Sequence, residues 1–110
     1  MTLSHEVHGM GDTVTLHLAG RIDRDALATL DAGYASAAAL DAAVVVLDMV
    51  AVDYINSTGI ALIVGLLGKA RSEGRSLRAA GLTDHYRHIF EITRLSDFIE
   101  LVEPAAGGAR

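Results

Sequence analysis

The sequence contains no cysteine. That removes thiol catalysis, disulfide frameworks and cysteine-based zinc sites together, and it is compatible with a reducing compartment. The chain also lacks a surplus of positive charge: fourteen acidic residues against nine basic ones give a net charge of −5. Such a chain is repelled by nucleic-acid backbones, and no basic stripe interleaved with aromatics offsets that. Long hydrophobic runs are missing too. The longest, from Gly59 to Gly68, is short of the roughly 20 residues that cross a bilayer. The first residues, Met1-Thr2-Leu3-Ser4-His5-Glu6, have neither the basic nor the apolar segment of a secretory leader. The expectation is a soluble, cytoplasmic protein without nucleic-acid or membrane partners. What is present is a hydrophobic fraction of 51% in 110 residues, enough to build the core of one domain.

The informative stretch is Asp53-Tyr54-Ile55-Asn56-Ser57-Thr58-Gly59-Ile60. Before it stands Ala43-Val44-Val45-Val46-Leu47, short and β-branched, which reads as a buried strand. After it, Ile60, Ile63, Val64 and Leu67 recur at helical spacing and predict the sheet-facing side of a helix over about 58–72. On this phase Leu62 and Leu66 lie on the far side, either as an exposed docking face or under a neighbouring helix. The hydroxyls of Ser57 and Thr58 therefore fall at a helix mouth, where free N–H groups and the positive dipole end tolerate a phosphate. Asn, Ser and Thr are also the favoured N-caps, and one of this trio is expected to cap the helix. Gly59 fits close backbone approach at the helix start. Asp53 is either a loop carboxylate near the dipole or a group that orients a hydroxyl.

The remaining elements follow in order. Residues 3–8 and 13–19 alternate, with Val14, Leu16 and Leu18 on one side and Thr13, Thr15 and His17 on the other, and form a hairpin around Gly9-Met10-Gly11-Asp12. Gly20-Arg21-Ile22-Asp23 breaks the pattern, and Asp23 caps a helix starting near Arg24, with Leu27, Leu30, Tyr34 and Ala38 on one face. Gly74 ends the central helix, and Ser76-Leu77-Arg78-Ala79-Ala80 is a strand. A strand, a crossover helix and this strand make a right-handed βαβ unit, placing Asn56 to Gly59 at the carboxyl end of the first strand. Thr83 or Asp84 caps a further helix with Tyr86, Ile89 and Phe90 buried. Leu95, Phe98, Ile99 and Leu101 form a last apolar patch, read as a short helix and an edge strand, and 104–110 is a frayed, flexible tail. The fold class is α/β: one domain over 1–103, with a mixed sheet of four to five strands and helices mainly on one face.

No constellation carries catalysis, and no cofactor or metal is expected. The nucleophile elbow needs Gly on both sides of its Ser, and here residue 55 is Ile. Gly65-Leu66-Leu67-Gly68-Lys69-Ala70 lacks the first Gly and the final Ser/Thr of a phosphate loop, and it falls inside the helix. His85, His88 and Glu91 have a spacing a metal could use, but no further ligand pairs with them, and solvated histidines are the reading. The same holds for His5, His8 and His17, which the hairpin can bring together.

The order of these elements resembles the STAS domain, specifically the bacterial anti-sigma factor antagonists. The resemblance runs from about Leu3 to Val102. It rests on Gly20-Arg21-Ile22-Asp23, on Leu47-Asp48 ahead of a short loop, on Tyr54-Ile55-Asn56-Ser57-Thr58-Gly59-Ile60, on Gly74-Arg75-Ser76-Leu77 and on Ile89-Phe90-Glu91-Ile92. It implies partner switching. An anti-sigma factor with serine kinase activity phosphorylates the Ser of an Asp-Ser-Ser/Thr-Gly motif, the modified form lets go, and a PP2C-type phosphatase reverses the step. That Ser is Ser57 here, with Thr58 the runner-up acceptor. The implied partner surface is Asp23, Asn56, Ser57, Thr58 and Gly59, with Leu62 and Leu66 beside it. Two departures stand out: Asn56 replaces the Asp before the Ser, and Arg94 stands where the family often has Gly. STAS-like domains also serve, unphosphorylated, as scaffold subunits of stress-signalling or transport assemblies, and Asn56 is compatible with that role.

Overall fold

In a computed structural model, which describes residues 2–104, alternation and helical periodicity resolve into one five-stranded sheet covered on one face. The order along the chain is β1 (Ser4–Met10), β2 (Thr13–Ile22), a 3-10 turn (Arg24–Ala26), α1 (Leu27–Ala39), β3 (Val44–Ile55), α2 (Ser57–Ser72), β4 (Ser76–Ala80), α3 (Asp84–Ile92), a second 3-10 turn (Leu95–Asp97) and β5 (Glu100–Val102). The strands lie in sequence order across the sheet. β1 and β2 form the antiparallel hairpin, and each later strand is parallel to the one before it. Parallel neighbours need crossover connections, and α1, α2 and α3 supply them. The expected 104–110 tail lies outside the described residues except for Pro104.

The core face follows from the period of two. Val14, Leu16, Leu18 and Ile22 of β2 and Val45, Leu47 and Met49 of β3 are all but fully buried. They pack with Leu30, Tyr34 and Ala37 of α1, Ile63, Leu66, Leu67 and Ala70 of α2, and Phe90 of α3. Thr13, Thr15 and His17, on the other face of β2, line an open depression with Val46, Asp48, Ala80 and Val102, and no helix residue lines it.

Several expectations are corrected. The strand predicted over 43–47 continues to Ile55, and β2 continues through Gly20 to Ile22. The two extensions pair with each other through register shifts at His17/Ala19 and Gly20/Arg21. Both shifts place an extra residue in β3, whose burial loses its alternation after Met49, so that extension reads as a loop. β2 keeps its alternation through Ile22, and there it is Gly20 that reads as a break. The short loop expected after Leu47-Asp48 is therefore strand. Leu27, grouped with the apolar face of its helix, and Phe98, grouped with the last apolar patch, are both exposed. Leu27 opens α1 just past the turn that Asp23 caps, and Arg71 lies 5.4 Å over the Phe98 ring.

The largest correction concerns α2. Its buried residues are Gly59, Ile63, Leu66, Leu67 and Ala70. Leu66 is 3% exposed and Leu62 half-buried, whereas Val64, expected against the sheet, is 45% exposed. Gly59 sets the rotation: a Cβ there would overlap the carbonyl oxygen of Ile22. With residue 59 pressed on β2, positions 63, 66 and 70 must follow on the same side at helical spacing.

At the far end of α2, the Tyr34 hydroxyl donates to Glu73 Oε1 at 2.6 Å and Arg75 Nε donates to the same oxygen at 3.2 Å. Burial first, and then the bond to Glu73, holds the Tyr34 hydroxyl above its ordinary value of 10.0.

Candidate functional site

The mouth of α2 is built by side chains that cap or tie. Asn56, in extended conformation, accepts the Gly59 N–H on its Oδ1 at 2.8 Å. It is the N-cap among the Asn-Ser-Thr trio. Its own N–H donates to the Ile22 carbonyl at 3.3 Å, which joins the end of β2 to the end of β3. Asp23 accepts from the Asp25 N–H at 3.0 Å, folding the chain into the 3-10 turn beside that junction. From the other side, the Tyr86 hydroxyl accepts the Ile55 N–H at 3.0 Å, and Thr83 caps α3 through the Tyr86 N–H.

Because Asn56 does the capping, the hydroxyls of Ser57 and Thr58 are uncommitted. Both residues are exposed, and neither side chain makes a hydrogen bond among the described residues. The N–H groups of Ser57 and Thr58 open the first turn, where no intrahelical acceptor exists. Around them lie Asp23, Arg21 and Tyr54: Arg21 Nε is 3.7 Å from an Asp23 carboxylate oxygen, and its guanidinium lies 4.7 Å over the Tyr54 ring. The structure thus brings Asp23, Asn56, Ser57, Thr58 and Gly59 to one place. It leaves Leu66 out, since that side chain is in the core. Asp53 is an exposed strand residue with no side-chain partner among the described residues.

Sequence reasoning missed the exposed stripe that continues from Ser57 along α2: Ala61, Val64, Gly65 and Gly68. A Cβ at Gly65 or Gly68 would meet nothing within 4 Å. Glycine within a helix costs about 1 kcal/mol relative to Ala, and packing inside this domain gives no reason for it. The signal was in the sequence as two glycines in a predicted helix, but it became legible only once both were seen to face outward.

Other clusters carry no site chemistry. Among the described residues no group of three or more His, Asp or Glu could hold a metal. His85 and His88 are exposed. His8 and His17 do meet across the hairpin, with ring centroids 6.4 Å apart, and His17 Nδ1 is 2.7 Å from Asp48. A depression beyond α2 gathers Arg71, Arg75 and Arg78, but their guanidiniums are engaged by Phe98, by Glu73 with the Ala42 carbonyl, and by Glu100 respectively. No helix among the described residues is long and apolar enough to cross a membrane.

Comparison with known proteins agrees with this architecture. The family model described as "Mlab, STAS domain" matches residues 5–103. The anti-sigma-B factor antagonist of Listeria monocytogenes is 31% identical over 90 residues, covering 82% of this chain and 79% of that protein. An anti-sigma factor antagonist from Mycobacterium paratuberculosis superposes with a TM-score of 0.76 at 19% identity, covering 97% of this chain and 90% of the other. SpoIIAA superposes with a TM-score of 0.71 in both forms. The unphosphorylated form is 14% identical, over 96% of this chain and 94% of that one. The phosphorylated Bacillus form is 15% identical, over 96% of each. At those identities the superpositions speak for the fold alone. With the family model spanning the sheet and its helices, and a relative this similar over most of its length, the chain belongs to the STAS domain family and, within it, to the anti-sigma factor antagonists.

Proposed function

We propose that residues 1–103 act as one folded unit that binds a cognate anti-sigma factor and is released when that partner, acting as a serine kinase, phosphorylates Ser57. A PP2C-type phosphatase restores the binding form, and the cycle runs in the cytoplasm. The observation that carries this reading is the division of labour at the helix mouth. Asn56 holds the cap at 2.8 Å, so the exposed Ser57 hydroxyl is free to react without unfolding the turn. Phosphate adds about −1.5 to −2 charge, which two free N–H groups and the helix dipole accommodate locally. A partner packed flat on the stripe Ser57, Ala61, Val64, Gly65 and Gly68 meets that charge desolvated and lets go. Domain rearrangement is not required. Thr58 is the second acceptor.

Incubating the chain with its cognate kinase and ATP, followed by peptide mass spectrometry, tests the chemistry. Phosphate on Ser57 supports the switch, and its absence from both Ser57 and Thr58 overturns it. Ser57→Asp should lower affinity for the anti-sigma factor while Ser57→Ala keeps it; equal affinities would exclude release by charge.

Asn56 favours one other reading. Its amide caps the helix as a carboxylate would, yet it places no negative charge beside Ser57. A chain that keeps the cap without the carboxylate suits a scaffold subunit that is never phosphorylated, in a stress-signalling or transport assembly. Asn56→Asp separates the two. If it converts an inert Ser57 into a phosphorylated one, the scaffold reading holds; if the wild type is already phosphorylated, the switch does.

A further inference from the structure

β1 forms one edge of the sheet, and no described strand other than β2 pairs with it. An edge strand presents a row of unpaired N–H and C=O groups, and proteins usually blunt such edges with Lys, Pro or a bulge. β1 has none of these: its sequence is Ser-His-Glu-Val-His-Gly-Met, and its register with β2 is unbroken from Ser4↔Ala19 to Met10↔Thr13. Gly11 and Asp12 make the two-residue turn that closes on Met10↔Thr13. Met10, His8, Glu6 and Ser4 therefore direct their backbone groups toward β2, and His5, Val7 and Gly9 direct theirs outward.

We propose that β1 pairs antiparallel with β1 of a second copy of this chain, across a two-fold axis at Val7, joining the two sheets into one. An isologous interface must be complementary to itself, and the charge pattern of β1 meets that condition in one register. With the axis at Val7, all seven residues of the strand pair: Val7 faces Val7, His5 faces Gly9, Glu6 faces His8 and Ser4 faces Met10. Outward-pointing backbone groups then meet one another. An axis at Glu6 would set two carboxylates opposite each other, and an axis at His8 two imidazoles; both also shorten the overlap. Like charges directly opposite destabilise a strand pair, and opposite ones stabilise it. An imidazole N–H donates to a carboxylate in either protonation state, so the Glu6–His8 contact forms twice per dimer.

The surroundings extend the complementarity. Glu6 lies opposite His17 of its own β2, and His17 is held by Asp48. The seam thus continues an alternation of carboxylate and imidazole on the open face. On the helix-covered face, Val7 is half-buried, and the exposed Leu40 has Cδ1 3.6 Å from where a Cβ on Gly9 would stand. Val7 stands on the axis, and Leu40 lies beside Gly9, the position that faces His5 of the second copy. The mouth of α2 follows β3, two strands away from the seam, so the dimer leaves Ser57 open. The proposal does not rest on phosphorylation.

Sedimentation equilibrium of the full chain over a wide concentration range tests it. The expected result is a reversible monomer–dimer equilibrium, weakened about tenfold or more by Glu6→Lys or His8→Glu alone and restored by the double variant E6K/H8E. Val7→Pro, which removes an outward N–H, should abolish the dimer while far-ultraviolet circular dichroism stays unchanged. A monomer up to ~1 mM, a dimer indifferent to the single swaps, or a double variant that fails to recover would each overturn the proposal.

Discussion

Gly59 and Ile22 meet backbone to backbone: a Cβ on residue 59 would lie within the van der Waals radius of the Ile22 carbonyl oxygen. The contact joins the first turn of α2 to the end of β2, and it sets which side of the helix is core. Gly59→Ala should lower stability by about 2–3 kcal/mol, because the obstacle is backbone and cannot rotate away. Urea denaturation followed by circular dichroism measures it. The variant should also lose affinity for the anti-sigma factor, since Asp23 and Ser57 are held together by this contact.

The outward glycines of α2 invert the usual relation of stability and function. Gly65→Ala and Gly68→Ala should each raise stability by about 1 kcal/mol, as nothing lies within 4 Å of the added methyl. The same substitutions should weaken partner binding, which calorimetric titration would show. Stabilisation with unchanged affinity would place the partner elsewhere.

Glu73 gives the acid limb of stability a definite sign. The bond from Tyr34, then that from Arg75, holds its carboxyl below the ordinary value of 4.5. The folded chain therefore binds that proton less readily than the unfolded chain. Its contribution is complete above 4.5 and fades as pH falls through the lowered folded value. Glu73→Gln should flatten the decline in urea midpoint between about pH 5 and pH 3. Tyr34→Phe should flatten it in part, because the largest cause of the shift is gone.

Arg94 holds a left-handed backbone, with φ at 67°. The conformation found is one that Gly adopts without strain. Arg94 Nε also binds Asp97 at 2.7 Å, but both side chains are well exposed, and such pairs contribute little. Arg94→Gly should raise stability by about 0.5 kcal/mol, read as a higher thermal midpoint. A loss would mean the ion pair outweighs the strain.

The order of elements was legible because alternation in Val14, Leu16 and Leu18 and the short run Val44 to Leu47 are local signals. The helix mouth was legible for the same reason: capping residues and a glycine at fixed spacing report themselves within one turn. Leu66 and Val64 show where local signals stop. Hydrophobic periodicity identifies which residues share a side, but two adjacent phases of an apolar helix score alike, and the contact of Gly59 with Ile22 chose between them. β3 beyond Leu47 was hidden for a related reason, since a bulged strand carries no regular alternation and exists only through its partner β2. The sequence by itself determined the α/β plan and the hydroxyls at a helix start, because bond geometry and capping act over a few residues. Tertiary structure alone decided which face of α2 meets solvent and which strand edge stays open, because both depend on backbone groups distant in the chain meeting or failing to meet.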